Sequence, residues 1–315
     1  MTDLRIMFMG TPDIARTTLD TLLKDGHNIV AVVTREDKPR GRGNVMTPTP
    51  VKMLATEHGI PTYTPSTLSD DGFMAILDEY KPELIVVVAY GKILPARVLD
   101  YPKHGCINLH VSLLPAYRGA APIQRAIMEG ERVTGVSVMY MDVGLDTGDV
   151  IDTYEIPISI TDTSEDIHDR AALDGSRLLS EVIVRIGEGR AERTPQDHTK
   201  ATYAAKIERE DAKIDFNMNA ALAQCRIRGV TPFPGAFCMH GGRMLKITAC
   251  LPLDKTSGAV PGTVIDVSGV GEGYIDVAFA EGTLRITRLK PEGKGVMSAG
   301  DFVRGRKIEK GEILA

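Results

Sequence analysis

The sequence predicts an α/β protein: a doubly wound, mostly parallel sheet with helices on its faces, followed by a second, smaller β-barrel domain. Three observations carry this. Over the first part of the 315 residues, short apolar runs alternate with stretches of helical spacing, the arrangement that packs helices on both sides of a parallel sheet. Near residue 190 the chain turns polar and loses its periodicity. Beyond that point come short β-rich runs separated by turn residues, as in small barrels and sandwiches.

Taken in order, "LRIMFMG" is an apolar run read as the first strand, and "DIARTTLDTLLKDG" follows with helical spacing and a glycine end. "NIVAVVT" is the second strand, "REDKPRGRGNVMTPTPV" a loop and "VKMLATEHG" a helix. "IPTYT" and the helical "DDGFMAILDEYK" lead to "LIVVVAY", the most apolar strand and therefore the central one. A strand at residues 107–113 is followed by the helix "PIQRAIMEG", with Pro122 where a helix begins and Gly130 where it ends. "TGVSVMYM" is a strand, "VIDTYEIPI" an edge, and "SEDIHDRAALDGSRLLSEVIVRIGEG" a long closing helix. The polar "RAERTPQDHTKATYAAKIERED" is a connector. "GAFCMHG", "RMLKITAC", "GTVIDVSG", "GYIDVAFAEG" and "TLRITRL" are the strands of the second domain. The expected boundaries are 1–189 for a catalytic domain, 190–207 for a linker and 208–315 for the barrel.

Bulk properties narrow the function. Apolar residues make up 43% and charged residues 25%, as in ordinary globular proteins, and no apolar run is long enough to span a bilayer. The opening "MTDLRIMFMG" has no cationic leader, so the expected location is cytoplasmic, with no membrane partner. The four cysteines are scattered without a metal spacing, which reads as reduced thiols and no metal. Net charge is −5, yet residues 208–315 carry a positive balance, which leaves room for a polyanionic partner there. The first strand runs into "MGTPDIA", which lacks the glycine triplet of a dinucleotide site.

One strand is chemically unusual. Ile107, Leu109, Val111 and Leu113 alternate with Asn108, His110 and Ser112, so one face is apolar and the other carries an amide, an imidazole and a hydroxyl. The run is expected to end at Pro115, which lacks a donor, placing the polar trio at the carboxyl end of a strand, where open sheets bind ligands. Asn108 suits a developing oxyanion and His110 the movement of a proton; a half-buried histidine bonded to a carbonyl is the competing structural reading. Cys106 shares the face but lies too far from His110 for a nucleophile pair. In "MYMDVGLDTGD", Gly144 and Gly148 let the chain turn and aim Asp146 inward, where a carboxylate fixes an imidazole's tautomer. Asp142, Asp146 and Asp149 do not match a calcium loop. Arg118 is either a clamp for an anion or a surface residue, the commoner fate of a lone arginine. Phe233, between Pro232 and Pro234, reads as a packed turn residue rather than a stacking platform.

Together "INLHVSLLPAYRGAAPIQ" and "DVGLDTGD" closely resemble the folate-dependent formyltransferases. "GTPD", "VVVAYGKILP" and "TYAAKI" resemble the members that formylate initiator methionyl-tRNA. The resemblance covers nearly the whole chain. It implies a Rossmann-like first domain and an OB-like β-barrel that grips tRNA; the expected state is a monomer. It further implies that Asn108, His110 and Asp146 are catalytic, and that the turn Ser112, Leu113, Leu114 and Pro115 lies against 10-formyltetrahydrofolate, the co-substrate. Arg42, in the basic loop with Lys38 and Arg40, and Lys206 are the implied tRNA contacts. The alternatives kept open are a formyltransferase acting on an amino sugar nucleotide and a non-catalytic tRNA-binding protein.

Overall fold

A computed structural model describes residues 3–40, 43–305 and 307–315. The chain divides into two compact units. The first comprises residues 1–120, 134–156 and 168–204; the second comprises 121–133, 157–167 and 205–315.

The first unit is built on a seven-stranded sheet. Its strands are β1 (Ile6–Gly10), β2 (Ile29–Val33), β3 (Thr62–Tyr63), β4 (Leu84–Val88), β5 (Cys106–His110), β6 (Val133–Tyr140) and β7 (Val150–Pro157), in the spatial order 7-6-5-4-1-2-3. β4, read from sequence as central, is the middle strand, and all five of its residues are buried. β1 pairs in parallel with β2 and β4, and β4 with β5, so the order reverses between β1 and β4 and the sheet is doubly wound. β6 runs antiparallel to β5, with His110 opposite Ser137 and Asn108 opposite Met139. Helices α1 (Asp13–Lys24), α2 (Pro50–Glu57), α3 (Asp71–Tyr80) and the short α4 (Ala96–Leu99) join the parallel strands. α1 starts close against β1 because Gly10 has no side chain; a Cβ there would stand 2.6 Å from that of Ala15. One face of the sheet packs Met7, Val33, Phe73, Leu77, Ile85, Val98 and Cys106 into a single core.

Two local expectations fail in the first unit. The basic stretch read as a loop holds a two-stranded ribbon, with Lys38 opposite Thr47 and Arg40 opposite Val45. The reactive strand stops at His110, not at Pro115. Ser112 donates its hydroxyl to the carbonyl of Ala116 at 2.6 Å and gives its own carbonyl to the Ser137 hydroxyl at 2.7 Å. Side-chain bonds of this kind compete with the strand ladder and close a turn. The alternation therefore inverts: Ser112 is fully buried while Val111 is partly exposed.

The connector is not structureless. Residues 194–204 are stitched onto the first unit: Thr194 bridges Val150, and Tyr203 and Ala204 pair in parallel with Arg118 and Gly119. The long helix α6 (Ser164–Gly187), which follows α5 (Pro122–Met128) in the chain, precedes it.

In the second unit, β8 (Phe237–His240), β9 (Arg243–Leu253), β10 (Val264–Ser268), β11 (Tyr274–Ala278) and β12 (Thr283–Pro291) form an antiparallel sheet ordered 8-9-12-11-10. The C-terminal residues bond both of its edges: Ala315 exchanges two backbone bonds with Met239 of β8, and Val264 of β10 bonds Glu312 and Gly311. The tail thus bonds part of each open edge of the sheet. α7 (Ala220–Gly229) approaches α5 at Gly229, where a Cβ would stand 2.5 Å from Met128, and α8 (Ala299–Arg304) packs on the opposite strands. Phe233 is not a packed turn residue: its ring is 82% exposed, because backbone bonds from Thr231 to Arg228 and from Gly235 to Val230 hold the turn without it. Among the described residues no helix is long and apolar enough to cross a membrane.

Candidate active site

β5 presents Asn108 and His110 from one face, two residues apart. Asn108 is partly exposed, and its carboxamide makes no hydrogen bond among the described residues. His110 is 6% exposed. Its Nε2 lies 2.9 Å from the carbonyl oxygen of Tyr117. A carbonyl only accepts, so Nε2 carries the proton, and the free ring position, Nδ1, faces Oδ2 of Asp146 at 3.7 Å. The sequence reading gave the tautomer to the carboxylate; the structure gives it to a backbone carbonyl, aimed by a chain that turns through Tyr117 at a φ of 58°.

Asp146 reaches this position by an indirect route. Because β6 is antiparallel to β5, the 141–149 loop leaves at the far end of the strand, where the Met141 amide bonds the Cys106 carbonyl, and folds back along it. Asp142 organises the turn by accepting from the Gly144 amide at 2.9 Å and the Thr147 hydroxyl at 2.5 Å. Asp149 is held by Arg193 at 3.1 Å. Both carboxylates therefore have structural partners. Asp146 itself adopts a φ of 53°, a left-handed conformation that costs an L-residue about 1–2 kcal/mol. Its Oδ2 accepts the Gly119 amide at 2.8 Å, and its side chain is 15% exposed.

Two further groups complete the surroundings; sequence reasoning misread the first, Arg118, and missed the second, Gln196. Arg118 is neither a surface residue nor a clamp: it is 2% exposed, and its Nε and Nη2 donate to Oε1 of Gln196 at 3.2 and 2.6 Å. Nη2 also donates to Nδ1 of His198 at 3.0 Å. Gln196 in turn donates from Nε2 to the carbonyls of Asp146 and Gly148 at 3.0 and 2.7 Å. Arginine only donates and carbonyls only accept, so the orientation of the Gln196 amide is fixed by its neighbours. Nothing in "TPQDHTK" marks Gln196 as special; its partners are 48, 50 and 78 residues away.

The other expected site residues are placed as follows. In the turn after β5, the Ser112 hydroxyl is consumed internally, the Leu114 amide bonds the Ser137 hydroxyl at 3.1 Å, and Leu113, Leu114 and Pro115 are each partly exposed. Toward the other end of β5, Leu99, Cys106, Tyr140, Met141, Asp142 and Arg193 contribute to a concavity of about 610 Å³. Burial pushes the Cys106 thiol up to about 12, so it is not a nucleophile near neutrality. Lys206 belongs to the second unit, where its exposed ammonium stands 3.6 Å from Glu208. Arg42 lies outside the described residues. Among the described residues no group of three His, Cys, Asp or Glu side chains is arranged to hold a metal ion.

A carboxylate therefore approaches an imidazole of defined tautomer, two residues along the strand from an amide with no partner among the described residues. Comparison with known proteins bears on what this arrangement serves. Residues 4–183 match the formyl transferase family and residues 206–307 match the formyl transferase C-terminal domain. A methionyl-tRNA formyltransferase of Desulforamulus reducens is 45% identical over 312 residues, covering 99% of this chain and 98% of that protein. One of Bacillus velezensis is 43% identical, covering 98% and 97%. Among solved structures, an N-formyltransferase from Helicobacter canadensis in complex with folinic acid and dTDP-3-aminofucose shares the fold. Its TM-score is 0.66 at 20% identity, over 90% of this chain and 98% of that one. Gln196 falls between the two matched segments. From both matches and the near-full-length identity, the chain belongs to the formyl transferase family.

Proposed function

We propose that this protein transfers the formyl group of 10-formyltetrahydrofolate to the amino group of initiator methionyl-tRNA. The observation that carries the reading is the approach of Asp146 to His110 beside an Asn108 amide that has no partner of its own among the described residues. The chain's likeness to methionyl-tRNA formyltransferases over almost its full length supports methionyl-tRNA as the acceptor.

The chemistry follows from the groups. An α-amino group titrates near 8, so a fraction is free base at neutral pH and can attack without a covalent enzyme intermediate. As the new C–N bond forms, the electron pair of the formyl C=O moves to oxygen. Asn108 is the available donor for that oxyanion, because the Nε2 proton of His110 is committed to Tyr117. Collapse of the tetrahedral carbon breaks its bond to N10, which must gain a proton while the attacking nitrogen loses one. Nδ1 of His110 and the Asp146 carboxylate hold the position for that exchange, at a separation that catalytic pairs commonly shorten once substrate is bound.

The folate is proposed to lie along β5, with Asn108 between the Leu113–Pro115 turn and the concavity near Cys106; a site of several hundred cubic ångströms is the size such a molecule needs. Residues 1–189 would carry the chemistry, 190–207 the connection and 208–315 the grip on tRNA, with Arg42 and Lys206 on phosphates. The test is a single assay with formyl-labelled 10-formyltetrahydrofolate, initiator methionyl-tRNA and an amino sugar nucleotide. Label on the methionyl amino group is the expected result. Label on the sugar, or tRNA binding without transfer, would refute it.

A further inference from the structure

We propose that Gln196 is the positioning residue for the Asp146 carboxylate, so that the connector between the two family-matched segments is part of the catalytic machinery rather than a tether. The inference rests on the reading of Asp146 as the proton-handling group.

The argument is one of constraint. Asp146 sits at a positive φ, a conformation that costs a side-chain-bearing residue energy and that neighbouring bonds help to hold. The side chain is fixed by one bond, from the Gly119 amide to Oδ2. The Asp146–Thr147 and Gly148–Asp149 peptide planes are fixed by Gln196, whose Nε2 binds the carbonyls of Asp146 and Gly148 together. Gln196 is itself 8% exposed and cannot swing away, because its Oε1 is gripped by the buried Arg118 guanidinium. The connector also supports the other side of the carboxylate. Thr202 accepts the Arg118 amide through its carbonyl and the Tyr117 amide through its hydroxyl, and Ala204 accepts the Ala120 amide. Gly119, the donor to Asp146, thus hangs from the same strap. Gly119 is also the residue that permits this approach: a Cβ there would stand 2.9 Å from the Ala204 carbonyl oxygen. The two hydrogen bonds on Asp146 named here, from the Gly119 amide and from Gln196, therefore both trace to residues 196–204.

Two variants separate positioning from bulk stability. Gln196→Ala removes both halves of the bridge. Gln196→Glu keeps an acceptor for Arg118 but turns an oxygen toward two carbonyl oxygens, so the guanidinium stays satisfied while the loop loses its donors. In full-length protein, the expected result is a kcat lowered about 10- to 100-fold in both, the scale of a misplacement near 1 Å. KM for the folate should stay within about threefold, since the folate-facing turn is untouched, and Gln196→Glu should melt no lower than Gln196→Ala. Gln196→Glu carries the test where alanine loses the fold. A kcat within about threefold of the parent in the folded variants, or an effect confined to KM, would overturn the proposal. Asp146→Asn run beside them keeps the two readings apart. An inactive Asp146→Asn with an active Gln196→Glu removes only this inference, whereas an active Asp146→Asn removes the catalytic reading beneath it.

Discussion

Gly148 carries no side chain for a steric reason, and replacing it with alanine tests whether the loop geometry governs turnover. Its φ is not in the left-handed region, so the backbone tolerates alanine. The space does not. An added Cβ would stand 1.9 Å from the Tyr140 carbonyl oxygen and 2.9 Å from the Tyr140 carbonyl carbon. Real Cβ atoms essentially never come within 3.0 Å of such a neighbour, so the loop must lift by at least the difference from 1.9 Å. Tyr140 cannot yield, since it lies in β6 opposite Ile107 and its amide holds the Asp149 carbonyl. The displacement therefore falls on residues 142–148 and carries Asp146 away from His110, already 3.7 Å distant. A misplacement near 1 Å costs roughly 100-fold in rate, or about 2.7 kcal/mol of barrier. Steady-state formyl transfer measures kcat, and thermal unfolding measures stability. Gly59→Ala is the control: its φ of 67° makes alanine strained, but nothing lies within 4 Å of the added carbon. It should lose about 1 kcal/mol of stability with kcat unchanged. If Gly148→Ala kept full turnover in a folded protein, the claim that a close-packed loop aims Asp146 would be wrong.

Three other outcomes are expected. Asp276 is buried at 1% and both its oxygens are held by Arg285 at 2.8 Å, so Arg285→Met strands the carboxylate and should cost about 3–5 kcal/mol in denaturant unfolding of the second unit; a loss under about 1 kcal/mol would contradict this. Burial holds the His27 imidazole below its ordinary value of 6.5, against the opposing pull of Asp25. The unfolded chain then binds the extra proton below that pH, so this contribution to stability is complete above about 6.5 and lost as pH falls through the depressed folded value. Urea midpoints should fall between pH 7 and 5 more steeply for the parent than for His27→Gln, and equal slopes would discount the histidine. Lys206→Ala should flatten the salt dependence of tRNA binding by nearly one unit in the log–log slope if its ammonium meets a phosphate, and an unchanged slope removes it from the interface.

The sequence by itself determined the periodic features: the alternation of strands and helices, the central place of the "LIVVVAY" strand, the switch to short β-runs, and an amide and an imidazole on one strand face. These are local patterns, set by side-chain periods of two and 3.6 residues along a single segment. It also indicated that Asp146 would turn inward. What only the tertiary structure decided depends on hydrogen bonds, most of them between distant segments. The strand ends at His110 because Ser112 bonds Ala116 and Ser137. The tautomer of His110 is set by the Tyr117 carbonyl, not by the carboxylate. Arg118 is buried because Gln196 and His198 accept its protons, and the last residues bond both edge strands of the second sheet. A hydrogen bond between residues tens of positions apart leaves no period in either stretch of sequence. It exists only once hydrophobic burial has brought the two backbones together.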